Sequence, residues 1–172
     1  RTAGFSTVDF DQTSDDTNVF YAGLMFVGGT SASVAGGIKV ATLALIVIAI
    51  AALIRGRRDA TAFGRRIPLI QIQWAFALAT LSFVGVMALA MTLAYTDPGY
   101  PFLDLLFESV SAFATVGLST GLTSELSTPG QILLVLGMFL GRVLPPMVIV
   151  VALSVRGKGD LYRYASEGVP VG

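Results

Sequence analysis

Residues 107–123, which read FESVSAFATVGLSTGLT, decide the fold of this chain. The stretch begins with the apolar spacing of an amphipathic helix and becomes small, hydroxylated and glycine-containing from Thr115 onward. No charge occurs between Glu108 and Glu125. Non-helical backbone at membrane depth is tolerated only where it is buried in protein or lines a watery path. The stretch therefore predicts a re-entrant pore helix followed by an ion-selectivity strand.

The composition is that of a membrane protein. Of the 172 residues, 54% are hydrophobic and 13% are charged, whereas soluble domains carry about 25% charged residues; the mean hydropathy is +0.77. The chain has no cysteine and no histidine, which excludes disulfides and thiolate metal sites and removes the commonest general base. A net charge of zero gives no support for a nucleic-acid partner. Because the chain begins at Arg1, we expect it to be a piece of a longer protein.

The first apolar region is too long for one straight membrane helix. Residues 18–54 carry one charge, Lys39. As a helix they would be about 55 Å long, whereas a bilayer core is about 30 Å thick. Residues 28–37, GGTSASVAGG, place two Gly-Gly pairs around a Ser/Thr cluster, and each glycine costs a helix about 1 kcal/mol. Close helix packing through small residues is the alternative, but two such pairs exceed what packing needs, and we expect an unwound intramembrane segment.

The remaining segments define a topology. Residues 55–66 contain five arginines against Asp59, so the positive-inside rule puts this loop in the cytoplasm; a basic lipid-binding or RNA-binding patch is the weaker interpretation. An uncharged span follows over residues 69–95, then an outside turn and a helix over residues 102–114 that is too short to cross a bilayer. This helix dips in from outside. A last span over residues 131–155 returns the basic C-terminal end to the cytoplasm.

An internal repeat relates two parts of the chain. At a shift of 113 residues without gaps, residues 2–7, TAGFST, align with residues 115–120, TVGLST. At the same shift, residues 25–28, MFVG, align with residues 138–141, MFLG. Two matched blocks in one register argue against chance. The repeating unit is therefore a helix, a pore helix, a filter strand and a second helix.

The chemistry of the repeated strand suits a cation. Backbone carbonyls can replace the hydration shell of an ion, glycine permits the backbone conformations that aim them, and threonine adds a hydroxyl acceptor. The C-terminal end of the pore helix, near Ala114, contributes a partial negative charge. Neither strand carries an acidic side chain, which favours a hard monovalent cation held by dipoles. The alternative is that residues 2–7 and 115–120 are only membrane loops or helix-packing sites. This alternative is less well supported because the pattern occurs twice in one register.

Two basic residues within the apolar segments are candidates for a barrier. Arg142 lies about twelve residues into the last span, where an arginine costs roughly 2.5–3.5 kcal/mol and is usually paired inside the bundle. We expect Arg142 to project toward the pore axis below the filter and to contact carbonyls of residues 28–37. For Lys39, a gate residue and a snorkelling lysine both remain open. For Glu108, polarising the pore helix and accepting hydrogen bonds from nearby amides remain equally open.

Four motifs resemble the Trk/Ktr/HKT superfamily of potassium transporters, with the TrkH and KtrB type closest. They are RTAGFST, GGTSASVAGGIK, FESVSAFATVGLSTGLT, and GMFLGR with its following proline pair, and they cover nearly the whole chain. The resemblance implies an all-α membrane protein with four helix–pore loop–helix units around one pore. Residues 1–66 would then be the back half of the third unit and residues 67–172 the complete fourth unit. Pro145 and Pro146 depart from the Gly-Pro pair expected after the arginine, which puts only the local kink in doubt.

The resemblance also implies the site residues and partners. The ion-binding backbone would be that of Thr2, Ala3, Gly4, Phe5, Thr115, Val116, Gly117 and Leu118. The gate would consist of Gly28, Gly29, Thr30, Ser31, Gly36, Gly37, Lys39 and Arg142. The transported ion would be K⁺, with Na⁺ left open, and no organic cofactor is expected on this chain. The expected partners are membrane lipid, a second copy in a homodimer, and a cytoplasmic nucleotide-binding ring subunit like TrkA or KtrA, in the plasma membrane.

Two other function classes fit the sequence less well. A secondary transporter of another class would bind an anionic substrate at the exposed N-terminus of a broken helix, but the paired T-x-G-x-S-T strings supply carbonyls and hydroxyls instead. An intramembrane enzyme lacks the usual catalytic groups here, because the chain has no histidine, no cysteine and no pair of acidic residues within the membrane. The sequence therefore predicts a transporter and not an enzyme.

Overall fold

A computed structural model describes residues 3–8, 10–30, 36–57, 59–62 and 64–155. Within these ranges the protein is mainly helical. Its five helices are α1 (Asp15–Phe26), α2 (Val40–Ile54), α3 (Leu69–Thr96), α4 (Phe102–Phe113) and α5 (Thr128–Val155). Short 3₁₀ turns lie at Phe10–Gln12 and Leu122–Ser124, and a small hairpin joins β1 (Thr61–Ala62) to β2 (Arg65–Arg66).

The predicted break in the first apolar region is present. Helix α1 ends at Phe26 and α2 begins at Val40. The two flanks pair with each other: the Gly28 N–H donates to the Ile38 carbonyl at 2.6 Å, and the Ile38 N–H donates to the Phe26 carbonyl at 3.1 Å. Residues Ile38 and Phe26, on either side of the break, therefore lie side by side, and these bonds satisfy backbone groups that the end of α1 leaves without a helical partner.

The membrane-span prediction is supported for one helix by length and composition. Among the described residues, α3 (Leu69–Thr96) is the helix long and apolar enough to cross a bilayer. Helix α2 (Val40–Ile54) and the Thr128–Val143 part of α5 are shorter apolar stretches. Helix α4 has 12 residues, which agrees with the predicted short helix and is well below the length that a bilayer requires.

Helix α4 lies at the centre of the structure and packs against α1, α3 and α5. Its residues from Phe107 to Phe113 are all buried, which is unusual for a helix with one apolar stripe. One apolar cluster joins α4 to α1 through Phe107, Phe10 and Met25. A second joins α4 to α3 and α5 through Leu105 and neighbours such as Leu93 and Leu134. Helices α1, α3 and α5 therefore enclose α4, whereas α2 packs against α3.

Three boundaries differ from the sequence-based expectation. Helix α1 begins at Asp15, ahead of the apolar region of residues 18–54, and Asp15 and Asp16 form its first turn, where negative charge is favourable for the helix dipole. Helix α5 begins at Thr128 and not at residue 131. Its start is extended because the Ser127 hydroxyl accepts the Gly130 N–H at 3.3 Å. The basic loop, for which no strand was predicted, folds into the β1–β2 hairpin.

A carboxylate joins the end of α3 to the start of α5. Asp97 Oδ1 accepts the Ser127 N–H at 2.9 Å, and Oδ2 accepts the hydroxyls of Ser127 and Thr96, both at 3.0 Å. The Ser127 amide, aided by these hydroxyls, holds the pKa of Asp97 below its ordinary value. The α3–α4 turn and the α4–α5 loop meet at this carboxylate. Asp97 therefore joins the two segments that flank α4 and the residues after it.

Candidate functional site

The two glycine-centred segments predicted from the repeat, residues 2–7 and 115–120, meet at Gly4 and Gly117. Their described residues are not part of a β-sheet, and we call the second segment the strand after α4. Gly4 and Gly117 both have positive φ, +76° and +88°, a region that side chains disfavour. A methyl group at Gly117 would lie 3.2 Å from Gly4 Cα, and one at Gly4 would lie 2.8 Å from the Val116 carbonyl oxygen. The structure therefore brings together residues that are 113 positions apart in sequence. Thr2 lies outside the described residues, and Ala3 and Phe5 are exposed.

The strand after α4 is fixed by hydrogen bonds back to the helix that precedes it. The Val116 N–H donates to the Ser111 carbonyl at 2.9 Å, and the Ser111 hydroxyl donates to the Leu118 carbonyl at 2.5 Å. Thr115 has φ +53°, which turns the chain sharply at the helix end. The C-terminal end of the α4 dipole thus faces the first residues of the strand, as expected for a site that favours positive charge.

Glu108 secures the far limb of the same strand. The side chain is buried, with 3% of its surface exposed. Its Oε1 accepts hydrogen bonds from the Ser119 hydroxyl and from the Thr120 N–H, the latter at 3.0 Å, and its Oε2 accepts the Thr123 hydroxyl at 2.7 Å. Of the two roles left open by the sequence, hydrogen bonding to a nearby amide is observed at Thr120, and polarising the helix stays a prediction.

Glycines let three separate elements approach the C-terminal end of α4. A Cβ at Gly141 in α5 would collide with the Phe113 carbonyl oxygen, and one at Gly85 in α3 would lie 3.0 Å from the Phe113 ring. On a third side, a Cβ at Gly36 would lie 2.9 Å from the Ala114 carbonyl oxygen. Segments from three sides therefore pack closely around the point where α4 ends and the strand begins.

The predicted gate segment contacts the start of the strand. The Gly36 N–H donates to Thr115 Oγ1 at 2.9 Å, and Gly37, with φ +70°, approaches Ala114. Gly28 is buried against the Gly36 carbonyl oxygen. Gly29 is half-buried and Thr30 is exposed, while Ser31 lies outside the described residues.

The two basic gate candidates are near each other. Lys39 is half-buried and directly precedes α2, and Arg142 is exposed on α5. Their positive charges interact repulsively. The expected contacts between Arg142 and carbonyls of residues 28–37 are not among the hydrogen bonds of the described residues, and residues 31–35 lie outside that part of the chain. Such contacts remain a prediction.

A cavity of about 200 Å³ lies beside the strand after α4. Its polar lining comes from Glu108, Ser111, Thr115 and Thr123, and its apolar lining includes Met138. Gly117 also faces it. The strand thus has the Gly4 strand along one side and a partly polar space along another.

Several residues of this site were not predicted to belong to it. Ser111, Ser119, Thr120 and Thr123 all bond to the strand or to Glu108. The sequence did contain a sign of their role, because many hydroxyl residues follow Glu108, an acidic residue in an apolar helix. A buried carboxylate needs several hydrogen-bond donors. Gly85 gave no signal, because one glycine in an apolar helix looks the same whether or not an aromatic ring packs on it.

The comparisons with known proteins agree with this architecture. The family model TrkH, described as a cation transport protein, matches residues 1–157. The Ktr system potassium uptake protein B of Bacillus subtilis is 42% identical over 149 residues, covering 84% of this chain and 32% of that protein. The potassium/sodium uptake protein NtpJ of Enterococcus hirae is 36% identical over 177 residues, covering 100% of this chain and 39% of that protein.

A third relative gives the same result. The Ktr system potassium uptake protein B of Vibrio alginolyticus is 34% identical over 172 residues, covering 100% of this chain and 37% of that protein. The chain thus spans about a third of the length of the relatives it matches. The family consists of transport proteins and not enzymes, in agreement with the sequence-based prediction. The chain belongs to the TrkH family of cation transport proteins.

Proposed function

We propose that the protein containing this chain carries K⁺ across the plasma membrane as the pore-forming subunit of a Trk/Ktr-type uptake system. The observation that carries the proposal is the juxtaposition of Gly4 and Gly117, each at positive φ on a strand of the same sequence pattern. Two related strands side by side are what a filter assembled from repeated units requires. The names of the relatives from Bacillus and Enterococcus, which refer to potassium and to potassium/sodium uptake, support the choice of ion.

The ion is proposed to bind the backbone carbonyls of Thr2 to Phe5 and of Thr115 to Leu118. Fixed carbonyls replace water around an ion at little reorganisation cost. The strand after α4 is suited to this role because the Ser111 carbonyl holds its start at Val116, and the Ser111 hydroxyl and the Glu108 carboxylate hold its far limb at Leu118 and Thr120. The dipole of α4 adds a negative potential where the strand begins. K⁺, or Na⁺, is the proposed cargo, and no organic cofactor is proposed for this chain.

Gating is proposed to involve residues 28–37 together with Lys39 and Arg142. The segment is bonded to Thr115 through Gly36, so a displacement of the segment would reach the filter directly. Two neighbouring positive charges would raise the energy of a cation passing them. The segment and the basic pair together would form a barrier on the cytoplasmic side of the filter.

The proposed architecture has four helix–pore loop–helix units. Residues 1–66 form the back half of the third unit and residues 67–172 the fourth, and the 113-residue internal shift supports this division. The filter mouth faces outward, and the basic loop and C-terminal end face the cytoplasm, by the positive-inside rule. A homodimer and a cytoplasmic nucleotide-binding ring subunit are the proposed partners. The term "Ktr system" in the names of two relatives fits a multi-component assembly.

Flux through the full-length protein tests the function. Proteoliposomes containing it should take up ⁸⁶Rb⁺ down its gradient, and excess K⁺ should compete more strongly than excess Na⁺. A secondary transporter with a broken-helix substrate site is the second candidate, favoured by the break between Phe26 and Val40. Uptake of a labelled anionic amino acid without ⁸⁶Rb⁺ flux would establish that alternative and overturn the proposal.

A further inference from the structure

A second cavity lies far from the paired strands, where α2 ends and α3 begins. Its volume is about 350 Å³, at the lower end of the range of about 300–1,000 Å³ for ligand pockets. The β1–β2 hairpin forms one edge. The lining residues are Ala49, Ile50, Ala52, Leu53, Arg57, Asp59, Ala60, Arg66, Ile67, Leu69, Ile72 and Phe76. We call this cavity the hairpin groove.

The walls of the hairpin groove are apolar and open. Leu53 and Leu69 are 78% and 68% exposed, and Ile50 and Phe76 are 44% and 42% exposed. These side chains come from the last turns of one apolar helix and the first turns of the next. Exposed apolar surface of this size favours an apolar occupant. At the end of membrane helices, the occupant within reach is a lipid acyl chain.

The rim of the hairpin groove is basic. Arg57 and Arg66 line it, together with the single acid Asp59. Arg66 pairs with Asp59 at 2.7 Å, but both side chains are largely exposed, at 73% and 45%, so this pair is weak and open to exchange. Two arginines in the lining of an otherwise largely apolar groove match a phosphate joined to an acyl chain, since guanidinium binds phosphate through paired hydrogen bonds.

We propose that the hairpin groove binds one anionic phospholipid, with an acyl chain along Leu53, Leu69 and Phe76 and the phosphate at Arg57 and Arg66. The groove rests on the proposed membrane placement and is independent of the filter. Anionic lipids are concentrated in the cytoplasmic leaflet, where each nearby basic residue strengthens their binding. The sequence alone made a basic lipid-binding patch the weaker interpretation, and the apolar channel beneath the arginines is what changes this.

Native mass spectrometry of the full-length protein tests the proposal without measuring transport. The detergent-purified protein should retain one phosphatidylglycerol per chain and much less phosphatidylcholine with the same acyl chains. The double variant Arg57→Gln/Arg66→Gln should lose retention about tenfold or more. The matched control is Arg55→Gln/Arg65→Gln, which removes the same charge from exposed residues outside the groove. An equal loss in the control would mean diffuse surface charge and would overturn the proposal.

A second pair of variants tests the apolar channel. Ala52→Phe should fill the groove and reduce phosphatidylglycerol retention, whereas Ile54→Phe, at an exposed residue outside it, should not. Retention unaffected by Ala52→Phe would overturn the acyl-chain assignment. Competition by inorganic phosphate would identify a free anion as the ligand and would also overturn it. A third result would also overturn the proposal. In it, the purified protein carries no bound lipid, and the arginine variants instead fail to copurify with a cytoplasmic subunit. Because ⁸⁶Rb⁺ flux is scored separately, loss of the function and loss of the lipid site are distinguishable.

Discussion

The Gly36 backbone N–H donates a hydrogen bond to Thr115 Oγ1 at 2.9 Å, across 79 residues of sequence. It joins the segment between α1 and α2 to the first residue of the strand after α4. Gly36 is buried, so its amide has little access to replacement by water. The bond is therefore both a structural tie and a direct connection between the proposed gate and the proposed filter.

Replacing Thr115 by valine should destabilise the full-length protein. Valine keeps the shape of threonine but removes the acceptor, which leaves a buried amide unsatisfied at a cost of about 1–3 kcal/mol. Thr115→Ser keeps the hydroxyl and serves as the control. Thermal unfolding should give a lower Tm for the valine variant and a Tm close to wild type for the serine variant. Equal Tm values for both would mean that the bond contributes nothing to stability.

Replacing Gly117 by alanine should reduce K⁺ preference. The substitution strains a backbone at φ +88° by about 1–2 kcal/mol and places a methyl group 3.2 Å from Gly4 Cα. Gly121→Ala is the matched control, because Gly121 has φ +93° but nothing within 4 Å of an added Cβ. Competition of Na⁺ with ⁸⁶Rb⁺ uptake measures the preference. If both variants change selectivity alike, backbone strain and not contact between the strands is responsible.

Replacing Glu108 by glutamine should loosen the far limb of the strand. An amide has one acceptor oxygen, whereas the carboxylate accepts from Thr120 N and from Thr123 Oγ1 on different oxygens. The expected loss is about 1–3 kcal/mol of unfolding free energy, with reduced K⁺ preference in the same uptake assay. Glu125→Gln, at an exposed position in the following loop, is the control. A selectivity unchanged by Glu108→Gln would limit Glu108 to a structural role.

Much of this fold was predictable because it follows from apolar periodicity and glycine placement. The bounds of α3 and α4 agree with the predicted segments to within one residue. Asp97 directly follows the end of α3, and Pro101 directly precedes the start of α4. The break before Val40 was predictable because paired glycines disfavour a helix. The repeat made Gly4 and Gly117 equivalent positions, but equivalence gives no distance, so their contact is a finding of the structure.

What could not be predicted depends on packing between distant segments. No local pattern indicates that Gly36 bonds to Thr115, because the pairing arises only when α1, α2 and α4 are assembled. The same is true of the Gly85 contact with the Phe113 ring. The hairpin at Thr61–Ala62 and Arg65–Arg66 has two residues in each strand, too few for an alternating pattern to be visible.

Acidification should remove the contribution of Asp97 to stability. Its pKa lies below the ordinary value because the Ser127 amide and hydroxyl bond to the charged form. The contribution is therefore fully present above the unfolded pKa of about 3.9 and is lost as the pH falls through the lower folded value. Asp97→Asn should lower the Tm at neutral pH, and the difference from wild type should shrink below about pH 4. A pH-independent difference would assign the effect to shape and not to charge.

Removing the charge of Arg142 should raise cation flux if the basic pair forms a barrier. Lys39 and Arg142 repel each other, so a passing cation would meet a positive potential from both. Arg142→Ala is expected to increase ⁸⁶Rb⁺ flux about tenfold, equivalent to a barrier lower by about 1.4 kcal/mol. Arg142→Lys keeps the charge and should keep flux near wild type, and Lys39→Gln should act in the same direction as Arg142→Ala. A rise that is equal for Arg142→Ala and Arg142→Lys would point to steric blocking by the guanidinium. Flux unaltered in both would leave Arg142 without a part in the barrier.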